Sequence, residues 1–157
     1  MGDSIEDFVQ ELQNRITEEI KEAYGEIAYE RWLNPPNRGA LPAPDGHAVL
    51  RGVCGDTMEI FLQFENDRVS NASFQTDGCG ASIVCGSFAA EMALGKSPDE
   101  LLEITGESIM ESLGKLPKND AHCAFLAAET LHEALNDYMI KETRKSKPTP
   151  GDSTSNS

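Results

Sequence analysis

The chain has 157 residues, with 27 acidic against 13 basic side chains and a net charge of −14. This length suits one domain with its own core, and the charge excludes nucleic acid as a partner, because phosphate backbones bind basic protein faces. A membrane partner is excluded too, since no apolar run nears the roughly 18–20 residues that span a bilayer. The acidic start lacks a signal-peptide pattern, so we expect a cytoplasmic protein.

The first predicted element is a long amphipathic helix over residues 5–33, with a candidate break near Gly25. Its apolar side chains recur at intervals of three and four residues, which is the period of one helix face. Pro35 and Pro36 end it. We expect this face to pack on its own domain, the alternative being a partner protein. Residues 1–23 are interpreted as an N-terminal helical extension.

Three short strands are predicted next. Residues 48–51 form the first, and residues 57–65 alternate apolar and polar side chains as a strand with one buried face does. Asn66 and Asp67 suit a tight turn into a third strand over residues 68–76. These patterns predict a small three-stranded antiparallel sheet.

The rest of the domain is predicted to be helical, because its apolar positions follow the helical period. The four predicted helices cover residues 81–94, 97–104, 108–113 and 121–143. Strands first and helices afterwards indicate an α+β domain. We assign this domain to residues 24–143 and a disordered, Ser- and Pro-rich tail to residues 144–157.

Four cysteines in a chain for which no export is predicted favour metal binding or redox chemistry over structural disulfides. Three of them stand where an element begins or ends, namely Cys54, Cys79 and Cys123. Glycines flank the first two, and glycine lets the backbone approach an inorganic centre closely. Cys85, inside an apolar helix, is interpreted as a buried packing residue. His47 and His132 have no such context and are left out of the site.

Two further side chains join the candidate site. Asp56 follows Cys54 by two residues, so in extended chain both side chains point the same way. His122 precedes Cys123 at a helix start, where the helix dipole favours a thiolate. Three thiolates, an imidazole and a carboxylate exceed the donors of a closed zinc site, and labile donors suit a centre that is assembled and released. The residues alone leave three interpretations open: a metal or cluster site, a Cys–His nucleophile, and unrelated buried cysteines.

Taken together, these motifs resemble those of the IscU/NifU-like iron–sulfur cluster assembly scaffolds. The likeness runs from about Tyr24 to Lys141. Its motifs are Asn-Pro-Pro-Asn-Arg-Gly at 34–39, Cys-Gly-Asp at 54–56, Gly-Cys-Gly-Ala-Ser at 78–82, Gly-Lys-Ser at 95–97 and His-Cys-Ala-Phe-Leu-Ala at 122–127. Each motif is weak alone, but three cysteine motifs in this order are a specific signal. The resemblance also implies that the helices of the domain pack on one side of the sheet.

The resemblance implies roles for five residues. Cys54, Cys79 and Cys123 would be cluster-ligating thiolates, Asp56 the carboxylate that keeps the cluster labile, and His122 an alternative fourth ligand. Cys123 would also accept persulfide sulfur. The implied cargo is iron and a transient [2Fe–2S] cluster, with zinc as a stand-in for iron in the same site.

The implied function is that of a scaffold rather than an enzyme. It would accept sulfur from a cysteine desulfurase, bind iron and pass the cluster to apo iron–sulfur proteins. Frataxin-like or ferredoxin-type assembly partners are compatible with this role. Many family members carry Leu-Pro-Pro-Val-Lys before the His-Cys pair, a segment bound by an Hsp70-type chaperone. Residues 116–120 read Leu-Pro-Lys-Asn-Asp instead, which disfavours that chaperone as a partner.

Two other functions are weighed against the scaffold. A zinc-binding sulfur-transfer (SufU-like) protein would relay persulfide without building a cluster. That branch carries an insertion between its second and third cysteines, for which the spacing from Cys79 to Cys123 leaves no room. An adaptor that uses the N-terminal helix and a degenerate metal site is disfavoured by the intact cysteine and aspartate positions.

Overall fold

The computed structural model describes residues 2–53, 55–78, 80–114 and 121–146. These residues form five helices and three strands, in an order that confirms the α+β prediction. The elements are α1 (Gly2–Leu33), β1 (Gly46–Arg51), β2 (Thr57–Glu65), β3 (Arg68–Thr76), α2 (Gly80–Ala93), α3 (Pro98–Leu101), α4 (Gly106–Leu113) and α5 (Ala121–Ser146).

The three strands form one antiparallel sheet in the order β1-β2-β3. Alternation along β2 places Met58, Ile60 and Leu62 on one face, where all three are fully buried. The predicted bounds of β2 and β3 are confirmed. The first strand starts earlier than predicted, because Gly46 also pairs with β2, opposite Leu62.

Helices α2 and α5 pack on this face of the sheet, which confirms the predicted one-sided arrangement. A Cβ atom at Gly86 of α2 would lie 2.5 Å from the Phe74 ring of β3. A Cβ atom at Gly46 of β1 would collide with the Ala134 carbonyl oxygen of α5. Two glycines therefore let both helices approach the strands closely. Helix α2 is apolar on nearly every side because it lies between the sheet and the other helices.

The segment between α1 and β1 covers part of the opposite face. It runs beside the edge of β3, where Gly39 N donates to the Phe74 carbonyl over 2.8 Å. It then crosses towards β1, and Gln63 Nε2 donates to the Pro42 carbonyl over 2.8 Å. Phe61, which points to this face, is only 7% exposed, and the His47 ring stacks on it.

Helix α1 is interrupted at Gly25 (φ 86°, ψ 167°), as the sequence indicated. After the break the helix docks on α2, where Arg31 pairs with Glu91 over 2.6 Å and lies over the Phe88 ring. Before the break, five apolar side chains that the structure describes are 42–71% exposed, namely Ile5, Phe8, Val9, Leu12 and Ile16. The prediction that the helix packs on its own domain therefore holds for the part after the break and is wrong for the side chains from Ile5 to Ile16. Gly25, with its positive φ, changes the direction of the helix. The apolar residues before and after it therefore do not form one continuous face.

The ends of the later helices differ modestly from prediction. Helix α3 ends at Leu101, short of the predicted 104, and α4 begins after the Thr105 cap, whose side chain accepts from Ser108 N. Helix α5 continues to Ser146, so the start of the predicted tail is helical. Residues 147–157 lie outside the described part of the chain. None of the described helices is long and apolar enough to cross a membrane.

Candidate metal site

Asp56 and Cys123, two of the predicted ligands, are joined through the hydroxyl group of Ser82. Ser82 Oγ lies 3.0 Å from Asp56 Oδ2 and 3.5 Å from Cys123 Sγ. Asp56 belongs to the β1–β2 loop, Ser82 to the first turn of α2 and Cys123 to the first turn of α5. Ser82 and Cys123 are fully buried. The ends of three elements therefore meet at one point, as a shared site requires.

The other two predicted cysteine ligands, Cys54 and Cys79, lie outside the described residues, but the residues on either side of each are described. A Cβ atom at Gly78 would lie 2.6 Å from Asp56 Oδ2 and 2.6 Å from Ser82 Oγ. Gly78, which precedes Cys79, is thus packed against Asp56, which follows Cys54 by two positions. Within the described ranges no three His, Cys, Asp or Glu side chains are grouped to hold a metal ion.

The β1–β2 loop presents Asp56 through a tight turn. Gly52 N donates to the Asp56 carbonyl over 2.8 Å, and Gly55 N donates to the Gly52 carbonyl over 3.0 Å. Gly55 has a φ of +91°, which glycine adopts without strain. A Cβ atom at Gly52 would lie 3.0 Å from Leu126 Cδ2 of α5. The turn is thus held against the helix that carries Cys123.

The turn that leads into α2 is tied to the start of β2 by Asp77 and Thr76, which are not among the ligand positions predicted from the sequence. Asp77 Oδ1 accepts from Thr57 N over 2.7 Å, and Thr76 Oγ1 donates to the Thr57 carbonyl over 2.6 Å. Thr76 Oγ1 also accepts from Gly78 N over 3.0 Å. Paired polar residues at adjoining ends of two predicted strands are the signal that could have identified them. These bonds hold the segment that follows Cys54 beside the segment that precedes Cys79.

His122 and Cys123 differ in burial although they are adjacent. Both stand in the first turn of α5, where Cys123 points into the protein and His122 is partly exposed. Neighbouring residues on a helix do not face each other. The two side chains therefore leave the helix in different directions, one inward to Ser82 and one towards the surface.

The histidines left out of the site have partners elsewhere. His47 Nε2 lies 2.5 Å from Glu59 Oε2, and its ring stacks on Phe61. His132 Nε2 lies 2.7 Å from the Ile104 carbonyl oxygen. Cys85 is fully buried in the core, which agrees with its interpretation as a packing residue.

The chemistry of this site fits a thiophilic metal with an exchangeable ligand. Cys123 offers a sulfur donor and Asp56 an oxygen donor, and donors of these two types could hold zinc or iron without closing the coordination shell permanently. The Asp56 carboxylate and the Ser82 hydroxyl group occupy the space that a side chain at Gly78 would fill. The Gly78 backbone, the Asp56 carboxylate and the Ser82 hydroxyl group therefore meet in close contact, next to the Cys123 thiol.

Comparison with protein families and sequences gives concordant matches. Residues 23–145 match the family described as NifU-like N terminal domain. The iron–sulfur cluster assembly scaffold protein IscU 1 of Archaeoglobus fulgidus is 40% identical over 119 residues, which cover 75% of this chain and 78% of that protein. IscU of Aquifex aeolicus is 38% identical over 124 residues, covering 77% and 79%.

Solved structures with the same fold include two that are described by family. A NifU-like N-terminal protein from Brucella abortus superposes with a TM-score of 0.60 at 18% identity, covering 78% of this chain and 98% of that one. A putative cluster assembly scaffold for the SUF system from Fervidobacterium islandicum superposes with a TM-score of 0.57 at 18% identity, covering 73% and 98%. At these identities the likeness concerns the fold alone.

Proposed function

Because the chain belongs to the NifU-like N-terminal domain family, we propose that it is a scaffold on which iron–sulfur clusters are assembled and from which they pass to apo-proteins. The names of its relatives support this function. The observation that carries it is the meeting of Asp56 and Cys123 at Ser82, where three element ends converge. A thiolate and a labile carboxylate in one place suit a cluster that must be held and then released.

Cys54, Cys79 and Cys123 are the thiolate ligands in this proposal. Asp56 is the oxygen ligand, and His122 is the exchangeable alternative for the fourth position. The packing of Gly78 against Asp56 supports a site that includes both neighbouring cysteines. The cargo is iron and sulfide as a [2Fe–2S] cluster, and zinc in the same site stands in for iron.

Cys123 accepts the sulfur. Its thiolate attacks the outer sulfur of a persulfide on the cysteine desulfurase, a new Cys123 sulfur–sulfur bond forms, and the desulfurase cysteine leaves as thiolate. The helix start at Cys123 favours the attacking thiolate, and because Cys123 is fully buried, its sulfur has to become accessible before it can reach the desulfurase persulfide. Reducing the transferred sulfur to sulfide requires electrons, which a ferredoxin-type partner supplies. Cys123 then ligates the cluster that it helped to build.

The partners follow from this sequence of steps and from charge. A desulfurase, an iron source such as a frataxin-like protein, and apo iron–sulfur proteins each have to reach the site. With a net charge of −14, the scaffold is attracted to basic partner surfaces. The altered segment at 116–120, outside the described residues, disfavours an Hsp70-type chaperone. We place the protein in the cytoplasm.

One experiment tests this function. Anaerobic incubation of the full-length protein with ferrous iron, cysteine, a desulfurase and a reductant should produce visible sulfur-to-iron charge-transfer absorption. Cys123→Ser should abolish this absorption. Cys85→Ala is the matched control, since Cys85 is equally buried but lies in the core outside the proposed ligand set, and it should still assemble a cluster.

The alternative is a SufU-like sulfur carrier with zinc. It predicts that the purified protein holds one tight zinc ion, never develops the absorption and still stimulates sulfur release by the desulfurase. That combination of results would replace the scaffold with the carrier. The likeness to a SUF-system structure concerns the fold, and the short Cys79–Cys123 spacing favours the scaffold.

A further inference from the structure

Ser82 contacts two of the described ligands of the proposed site, Asp56 and Cys123. We propose that Ser82 is a positioning residue: its hydroxyl group holds the Asp56 carboxylate for the metal and makes that hold depend on the state of Cys123. This inference rests on the proposed function and adds a residue to its site. Ser82 Oγ is 3.0 Å from Asp56 Oδ2 and 3.5 Å from Cys123 Sγ, and Ser82 is fully buried.

The dependence follows from the single proton of a hydroxyl group. Ser82 can donate to one acceptor at a time, while its lone pairs can accept from another donor. When Cys123 is a thiol, its S–H group can donate to Ser82 and Ser82 can donate to the ionised Asp56. When Cys123 carries sulfur or binds metal, the S–H group is gone, and the two residues compete for the one Ser82 proton. The occupancy of Cys123 therefore changes how firmly Asp56 is held.

The space around this contact leaves little freedom for another arrangement. A Cβ atom at Gly78 would lie 2.6 Å from both Asp56 Oδ2 and Ser82 Oγ. Gly78 does not adopt the left-handed φ that requires glycine. Its lack of a side chain therefore serves the contact between Asp56 and Ser82 rather than the local backbone conformation.

The test is anaerobic titration of the full-length protein with Co²⁺ alone, followed by thiolate-to-cobalt charge-transfer and d–d absorption. Ser82→Ala should weaken Co²⁺ binding by about tenfold, the usual size of losing a hydrogen bond to a ligating carboxylate. It should also shift the d–d bands, which report the ligand geometry. In an Asp56→Ala background the same change should alter the affinity by about twofold or less, because the positioned carboxylate is absent.

Ser87→Ala is the matched control for loss of a buried hydroxyl group. Ser87 is fully buried in the same helix and donates to the Pro36 carbonyl over 3.1 Å. Its replacement should leave Co²⁺ affinity and spectrum unchanged. Gly78→Ala tests the contact from its other side, since the added methyl group would press on both partners. The Gly78→Ala protein should bind Co²⁺ more weakly. It is an independent variant, so it tests the contact even if the Ser82→Ala protein does not fold.

Wild-type Co²⁺ affinity and spectrum in both Ser82→Ala and Gly78→Ala would overturn the positioning role and leave the scaffold function intact. An equal loss on Ser82→Ala with and without the Asp56 carboxylate would overturn it as well. A wild-type protein that neither binds Co²⁺ nor assembles a cluster would instead contradict the proposed function itself. The two failures are therefore distinguishable.

Discussion

Tyr138 of α5 donates a hydrogen bond to Asp67 Oδ1 of the β2–β3 turn over 2.7 Å, which ties the last helix to the far end of the sheet. The Tyr138 ring also stacks on Phe64 of β2, with ring centroids 3.6 Å apart. This contact secures α5 far along the helix from Cys123. The position of Cys123 over the loops therefore depends on contacts along the whole helix.

Tyr138→Phe should lower the free energy of unfolding by about 1 kcal/mol, because the ring stays and one hydrogen bond is lost. Burial, followed by the bond to Asp67, raises the pKa of Tyr138 above its ordinary value. Since the raised pKa belongs to the folded state, this stabilisation is complete below about pH 10, the unfolded value, and is lost as the pH rises above it. Urea unfolding of both proteins between neutral pH and pH 11 measures the difference. A difference that grows with pH would contradict this assignment.

Asp56→Ala should slow the loss of an assembled cluster, because the exchangeable oxygen ligand is removed from a site of thiolates. The decay of the cluster absorption in air, or its transfer to an apo-ferredoxin, gives the rate. Asp99→Ala is a suitable control, since Asp99 is an exposed acid in α3. Faster loss from the Asp56 variant would mean that the carboxylate stabilises the cluster instead.

Gly46→Ala should destabilise the fold by about 1–3 kcal/mol, the usual cost of overpacking a core. The added methyl group would meet backbone, the Ala134 carbonyl oxygen, which cannot move without shifting α5. Gly52→Ala meets only the flexible Leu126 side chain, at 3.0 Å, and should cost less. Thermal unfolding of the two variants ranks them. Equal stability would show that α5 does not lie directly on β1.

Removal of residues 1–23 should leave the melting temperature of the domain nearly unchanged, since the apolar side chains from Ile5 to Ile16 are exposed. The shortened protein should still assemble a cluster, because Arg31 and the rest of the docked part of α1 are retained. Calorimetry and the cluster absorption test this domain boundary. A loss of cooperative unfolding would mean that the extension belongs to the folded domain.

Local pattern predicted most of the fold because each feature depends on a few neighbouring residues. The alternation in β2 and the Asn66–Asp67 turn located two strands correctly. In α1 the sequence predicts the break at Gly25, but the period of three and four continues through it and does not show that the part after the break docks on the domain while the side chains from Ile5 to Ile16 are exposed. The spacing of apolar residues shows which face of a helix they share only while the helix axis is straight. Where the axis changes direction, residues with the same spacing face different surroundings.

The sequence by itself determined the strands, the helices, the family and the types of donor atom available, since these depend on local spacing and on motifs. Tertiary structure alone decided that Ser82 stands between Asp56 and Cys123, which are 26 and 41 residues away from it in the chain. Their contact exists because α2 and α5 dock side by side on one face of the sheet. No local pattern encodes that docking, because it arises from the packing of the whole core.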